Sequence, residues 1–321
     1  MQTLLPSYYL KFRCVGGACK HSCCVDWEID LDSDTLDSYM HRTDALGARI
    51  RASICVDEST HFCLCEDGRC SFLNRNNLCD IIIADGERAL PEICREHPRF
   101  RNYYGEELVE LGLGFACEAA LACALMEESP FYLITDGEID SLTDHSKIEF
   151  RSFAPDFAQL SGYHGQFLRE KYRMLSLLSD TKIVPKERIS MLMEEYGADP
   201  STERYEEFFS LLGSLESLDS QWHGMLLAVS ESIPDEFAIN ERFLRLFSYF
   251  VFRHVTAESL YSIGCVLVFA FYLCRLTMDL FQSQQGKVSF EEIVRLLSSE
   301  IEYSEDNTEA LLDFCEQISE A

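Results

Sequence analysis

Twelve of the fifteen cysteines in this 321-residue chain fall within its first 123 residues. Four of them share one short run, Cys14-Val-Gly-Gly-Ala-Cys19-Lys-His-Ser-Cys23-Cys24. Thiolates that dense on a short loop are soft ligands converging on one point, which argues for a metal ion or an iron–sulfur cluster. A thiolate carries a full negative charge, so its unligated neighbours are forced to stay protonated. A metal removes that repulsion and supplies folding free energy. Gly16-Gly17 lets the backbone turn tightly enough for the flanking sulfurs to approach. A second series follows at Cys70, Cys79, Cys94 and Cys117. Spacing does not choose the metal, because tetrahedral sulfur suits zinc and iron–sulfur equally.

The remaining cysteines read differently. Cys55, Cys63, Cys65 and Cys123 are expected to be buried free thiols, since cysteine is among the most buried residue types. Cys265, Cys274 and Cys315 sit in apolar helical patterns. The C-x3-C-x2-C pattern of the common radical S-adenosylmethionine enzymes begins at Cys19 and Cys23, but Asp26 stands where its third thiol belongs. That class is excluded.

A net charge of −28 excludes a nucleic-acid partner, because a phosphate backbone would be repelled. It suits a lysine-bearing partner drawn in by long-range attraction, or simply a solvated surface. The N-terminus has no basic segment followed by an apolar one, and the longest apolar run, Ile263 to Cys274, ends at Arg275, too short to cross a bilayer. The expectation is a cytoplasmic chain without a membrane partner, whose reduced thiols form no disulfide framework.

The pattern predicts a mainly α protein. A cysteine-rich metal or iron–sulfur domain of short elements over 1–126 is followed by a connection over 127–145 and a helical domain over 146–321. Helices are expected over Ser33–Met40 and Gly86–Cys94. Further on, Tyr205, Phe208, Phe209, Leu212 and Leu215, and then Phe243, Leu246, Phe247 and Phe250, recur at helical spacing. Ser289-Phe-Glu-Glu292 has the form of a capping box, and Pro185, Pro200 and Pro234 mark helix boundaries. The stretch Leu108-Val-Glu-Leu-Gly112-Leu-Gly114-Phe-Ala116 has the look of a methyltransferase glycine loop, with Asp136 placed as a ribose-binding acid. Ala116 replaces the third glycine and no alternating strand–helix series follows, so it reads as a strand leading to Cys117. His21 lies inside the cysteine run and offers a ligand or an outer donor. His97, His164, His223 and His254 read as structural.

The segment Pro6-Ser-Tyr-Tyr-Leu-Lys-Phe-Arg-Cys14 through Cys24-Val-Asp-Trp27-Glu-Ile-Asp30 resembles the opening of the flagellin lysine-N-methylase family. Gly68-Arg-Cys70-Ser-Phe-Leu73, Leu78-Cys79, Cys94, Pro98-Arg99 and Cys117-Glu-Ala-Ala120 extend the likeness, and Glu241 to Arg253 echoes it in the helical region. The resemblance implies methyl transfer from S-adenosylmethionine to flagellin lysines, with a [4Fe–4S] cluster held among Cys14, Cys19, Cys23, Cys24, Cys70, Cys79, Cys94 and Cys117. A cluster of that kind needs four ligands, so some of the eight do something else. The cysteine-cluster zinc- or iron-chelating proteins share part of the first block, which leaves a non-catalytic zinc or iron module as the alternative. Ser71, Asp26, His97 and the stretch Gln159 to Gln166 depart from the methylase pattern. Lysine must lose its proton before attack, since its ordinary pKa is about 10.4. An aromatic-walled channel would desolvate it. Tyr8, Tyr9 and Trp27 are the candidate cofactor-binding walls, with Tyr103 and Tyr104 beside them. No catalytic residue is identifiable.

Overall fold

The computed structural model describes residues 1–57, 59–127, 131–154, 162–230 and 237–319, and these contain thirteen α-helices and eight strands. Pro130, Pro234 and residues 159–161 of the divergent stretch lie outside them. The mainly α expectation stands at that level, with two sheets added. In the larger sheet, β1 (Gln2–Pro6) runs parallel to β6 (Leu108–Leu113) and antiparallel to β7 (Tyr132–Asp136). β5 (Arg99–Tyr104) pairs with β6 at one edge and β8 (Arg151–Ser152) with β7 at the other. Side chains alternate across a strand. Leu4, Leu108 and Ile134 therefore join the core shared with the helices, while Leu5, Val109, Leu111 and Leu113 pack on Tyr8, Tyr9, Phe12 and Ala120. Both faces are covered, which is why β6 reads as an almost unbroken apolar run. β7 falls inside the stretch read as a connection.

The second sheet, in the order β2-β4-β3, is small: β2 (Ile29–Asp30), β3 (Ile54–Val56) and β4 (Thr60–Phe62). Around it lie α1 (Ser33–His41), α2 (Ala45–Ala52), α3 (Asp80–Asp85) and α4 (Glu92–Glu96). Ile29, Tyr39, Ile50, Phe62, Phe72 and Ile81 form an apolar core of their own here. The cysteine-rich region is thus not held by sulfur alone. Two expectations need correcting. The helix expected over Gly86–Cys94 is a 3-10 turn at Glu87–Ala89 followed by α4, because Pro91 lacks the N–H that a continuous helix needs. Cys55 and Cys63, expected as free thiols, are disulfide-bonded. β3 and β4 pair antiparallel, and this brings their Cα atoms to 5.2 Å, within bridging range.

After α5 (Glu118–Leu125) the chain forms α6 (Gly162–Leu178), α7 (Pro185–Glu195), α8 (Thr202–Leu212), α9 (Trp222–Ser230), α10 (Glu241–His254), α11 (Ile263–Ser283), α12 (Phe290–Leu297) and α13 (Glu305–Ser319). Pro185 begins α7. Ser289 accepts from the Glu292 N–H at 3.1 Å and caps α12, as its sequence predicts. α11 continues past Arg275, which was expected to end the apolar run. Its 21 residues are long and apolar enough to cross a bilayer, yet 83% of its most apolar window is buried inside the fold. It is the central helix, packed on α8, α9, α10, α12 and α13. A π-helical turn, Ser298–Glu302, joins α12 towards α13.

Candidate functional site

The eight thiols named from sequence separate into two neighbourhoods, and the leading run is divided between them. Cys24, Cys70, Cys79 and Cys94 all border the small apolar core of the cysteine-rich region. The Cys70 N–H donates to the Cys24 carbonyl at 2.8 Å. A Leu73–Cys79 bridge folds the next loop back, and α4 carries Cys94 to the same core. Charge on any one of these four raises the cost of charge on the others. Burial pushes the Cys70 thiol up to about 11, with Cys24 and Cys79 adding to the rise. Burial also raises Cys79, against the pull of the Ile82 and Ile81 N–H groups at the start of α3.

The second neighbourhood contains Cys14, Cys19 and Cys117. Cys117 is the N-cap of α5, and the Glu118 carboxylate accepts from the Lys20 N–H at 3.2 Å, tying the loop to that helix. Burial pushes Cys19 up to about 11, with smaller contributions from Glu118, Cys117 and Cys14, against a backbone hydrogen bond at His21 that lowers it. Cys23 stands between the two groups. It hydrogen-bonds to Cys24, which holds Cys24 down to about 7 and raises Cys23 itself. Cys23 is an exposed residue, so the rise is carried by that bond more than by burial.

Among the described residues, no three His, Cys, Asp or Glu side chains stand ready to hold a metal ion. The donor chemistry nonetheless fits one: soft sulfurs, mutually repulsive when ionised, in the right number. Cys65 is exposed and Cys123 half-buried, while Cys265, Cys274 and Cys315 are fully buried among helices.

The other nominated residues separate as clearly. His21 pairs with Glu292 of α12 at 2.9 Å and so docks the cysteine loop on the helices. Trp27 packs edge-on against Tyr303 at 5.1 Å, and His97 lies 5.7 Å from the same ring. Tyr104 is fully buried in a network around Glu110, and Tyr103 is exposed. Tyr8 lines a cavity of about 60 Å³ between the larger sheet, α5, α10 and α12. Its walls include Phe115, Tyr132, Tyr249 and Phe252, with Glu127, Glu241, Arg188 and Arg245 among its polar groups. Sequence reasoning found only Tyr8 of this set, since the other walls come from strands and helices far apart in the chain.

Gly112 of β6 and Gly114 just after it do not form a cofactor cradle. A Cβ on Gly112 would lie 2.1 Å from the Phe100 ring, and one on Gly114 would lie 2.7 Å from the Tyr303 hydroxyl. Both are small because other side chains occupy the space.

No family model and no solved structure matches the chain. Over 148 residues it is 28% identical to the flagellar biosynthetic protein FliU of Salmonella muenchen, covering 44% of this chain and 85% of that protein. Over 119 residues it is 29% identical to a lysine-N-methylase of Salmonella typhimurium, and to one of Salmonella choleraesuis, covering 35% of this chain. The chain spans only 29% of the methylases' own length in these matches. These relatives support kinship with the lysine-N-methylases over about a third of the chain.

Proposed function

We propose that this chain methylates lysine side chains of a flagellar protein, flagellin, with S-adenosylmethionine as donor. The observation that carries the reading is the similarity to two proteins named lysine-N-methylase, joined by one named as flagellar. The aromatic cavity supports it. About 60 Å³ is room for a few water-sized groups, which suits a lysine stem and not a nucleoside. Tyr8, Phe115, Tyr132, Tyr249 and Phe252 would strip water from the ammonium and so favour the neutral amine that attacks the donor methyl. Much of the rate would come from holding amine and methyl group in line.

A [4Fe–4S] cluster belongs in this reading at Cys24, Cys70, Cys79 and Cys94, four thiols on one apolar core. Bound there it would neutralise the mutual repulsion of four thiolates and lock the cysteine-rich region; zinc would do the same. Cys14, Cys19 and Cys117, with Cys23, are the second set.

The test begins with anaerobic purification, then iron, zinc and sulfide analysis. Flagellin is next incubated with S-adenosylmethionine and the metal-replete protein, and examined by mass spectrometry. Increments of one methyl group on lysine are expected. Unmodified flagellin, together with no donor binding, would leave only a zinc or iron module. Cys94→Ser is expected to lose the metal held with Cys24, while Cys274→Ser leaves metal content unchanged.

A further inference from the structure

Three buried polar atoms short of partners meet on one side of the larger sheet: His145 Nε2, Arg99 Nε, and the Tyr9 hydroxyl, which is in contact with the Arg99 guanidinium. Tyr9 is 1% exposed. Its ring lies 6.1 Å from the His145 ring, and the Arg99 guanidinium sits 5.8 Å over the Tyr9 centroid and 5.2 Å over that of Phe12. These residues come from the turn after β1, the start of β5, and the loop between β7 and β8. Buried polar groups are nearly always satisfied, so three under-satisfied atoms in one place mark a missing partner.

The charges show what that partner is. In a chain with 55 acidic and 27 basic residues, cations are normally claimed by carboxylates. Among the described residues no carboxylate pairs with Arg99, whose hydrogen bonds are a long one of 3.4 Å to the Arg95 carbonyl and one to the Tyr9 side chain. Arg13 also faces His145, and donates only to the Phe12 and Leu10 carbonyls. The nearby acids are engaged elsewhere: Glu96 accepts from Arg101 and Ser141, and Asp140 and Asp144 cap their own turns. A water molecule would fill the hydrogen bonds but leave the Arg99 and Arg13 charges unbalanced. An oxyanion would do both. The guanidinium is already held flat against two rings, so little ordering remains when it binds.

We propose that Tyr9, Arg99 and His145 form a binding site for a small oxyanion, a carboxylate or a phosphate, open to solvent on the side of the exposed Arg13. Two sources share that chemistry: inorganic phosphate, and the carboxylate of an amino-acid-bearing ligand such as the donor proposed above. The site itself does not depend on the methylase reading.

The experiment titrates the full chain calorimetrically with sodium phosphate, with S-adenosylhomocysteine, and with 5′-methylthioadenosine, which lacks the carboxylate. At least one oxyanion is expected to saturate. Arg99→Gln should weaken it about tenfold or more, as loss of a charged hydrogen bond does, and Tyr9→Phe should weaken it less. Melting temperature controls for folding. Should Arg99→Gln not fold, Tyr9→Phe and His145→Gln carry the comparison, with the His145 ring resonances of the wild type followed through the titration. Binding of S-adenosylhomocysteine but not of methylthioadenosine, lost in the variants, assigns the carboxylate; phosphate binding lost in the same variants assigns the inorganic anion. Absence of any saturable binding, or binding that the variants leave unchanged, overturns the proposal.

Discussion

Glu110 and Lys171 are both fully buried, and the residues around them show how a charge survives inside this protein. The Glu110 carboxylate accepts from Lys171 Nζ at 2.6 Å, from the Tyr104 hydroxyl at 2.7 Å and from the Tyr172 hydroxyl at 2.9 Å. Burial lowers the Lys171 pKa and the Glu110 carboxylate pulls it back up. Removing one partner of such a pair leaves an uncompensated charge in an apolar interior. Lys171→Met is therefore expected to cost about 3–5 kcal/mol in urea unfolding. The double variant with Glu110→Gln should recover part of that loss. His97 provides a pH signature. Burial, aided by Arg99, holds its pKa down to about 4. The unfolded chain binds that proton near pH 6.5, so the stability His97 contributes is complete above that value and drains away as pH falls towards 4. The loss is at most about 3 kcal/mol, and His97→Phe should flatten this part of the stability–pH curve.

Among elements, β6 and α9 make opposite demands on glycine. Gly112 stands opposite Phe100 in the β5–β6 register, with the ring filling the space of a side chain. Gly112→Ala must displace that ring and should destabilise by about 1–3 kcal/mol. In α9, a Cβ on Gly224 meets nothing within 4 Å, so Gly224→Ala should stabilise by several tenths to about 1 kcal/mol. Paired chemical denaturation of the two variants checks the contrast. Helix starts were legible because their caps are local: Asp32, Ser201, Asn240 and Ser289 each accept an N–H two or three residues on. The break before α4 was equally written in Pro91. The sheet was not legible as a sheet, because β1 finds its partners more than a hundred residues away.

At the scale of the whole molecule, the cysteine-rich region is fastened to the helices through a few contacts. Glu302, fully buried in the π-turn, accepts from Tyr249, Arg253 and His254 at 2.9–3.0 Å and so fixes the neighbouring Tyr303. Tyr303 in turn holds Trp27 and His97, and Glu292 holds His21. Trp27→Ala should loosen the cysteine loop without unfolding the helices. Limited proteolysis is expected to show faster cleavage near residues 14–27, while the helical signal in circular dichroism keeps its melting temperature.

The amino-acid order by itself determined where the cysteines are concentrated, where many of the helices begin, and the acidic balance of the chain. These depend on composition, on spacing within a turn or two, and on side chains that bond to their own backbone. Only the tertiary structure decided that Cys24 lies with Cys70, Cys79 and Cys94 while Cys14 and Cys19 lie with Cys117, that Cys55 and Cys63 are joined, and that Tyr8 and Tyr9 point to different places. The disulfide rests on the short β3–β4 hairpin, and the other outcomes rest on backbone pairing between segments distant in sequence, such as Cys70 with Cys24 and β1 with β6. Nothing in the local pattern of either segment carries that register, because it is selected by which apolar faces can be buried together.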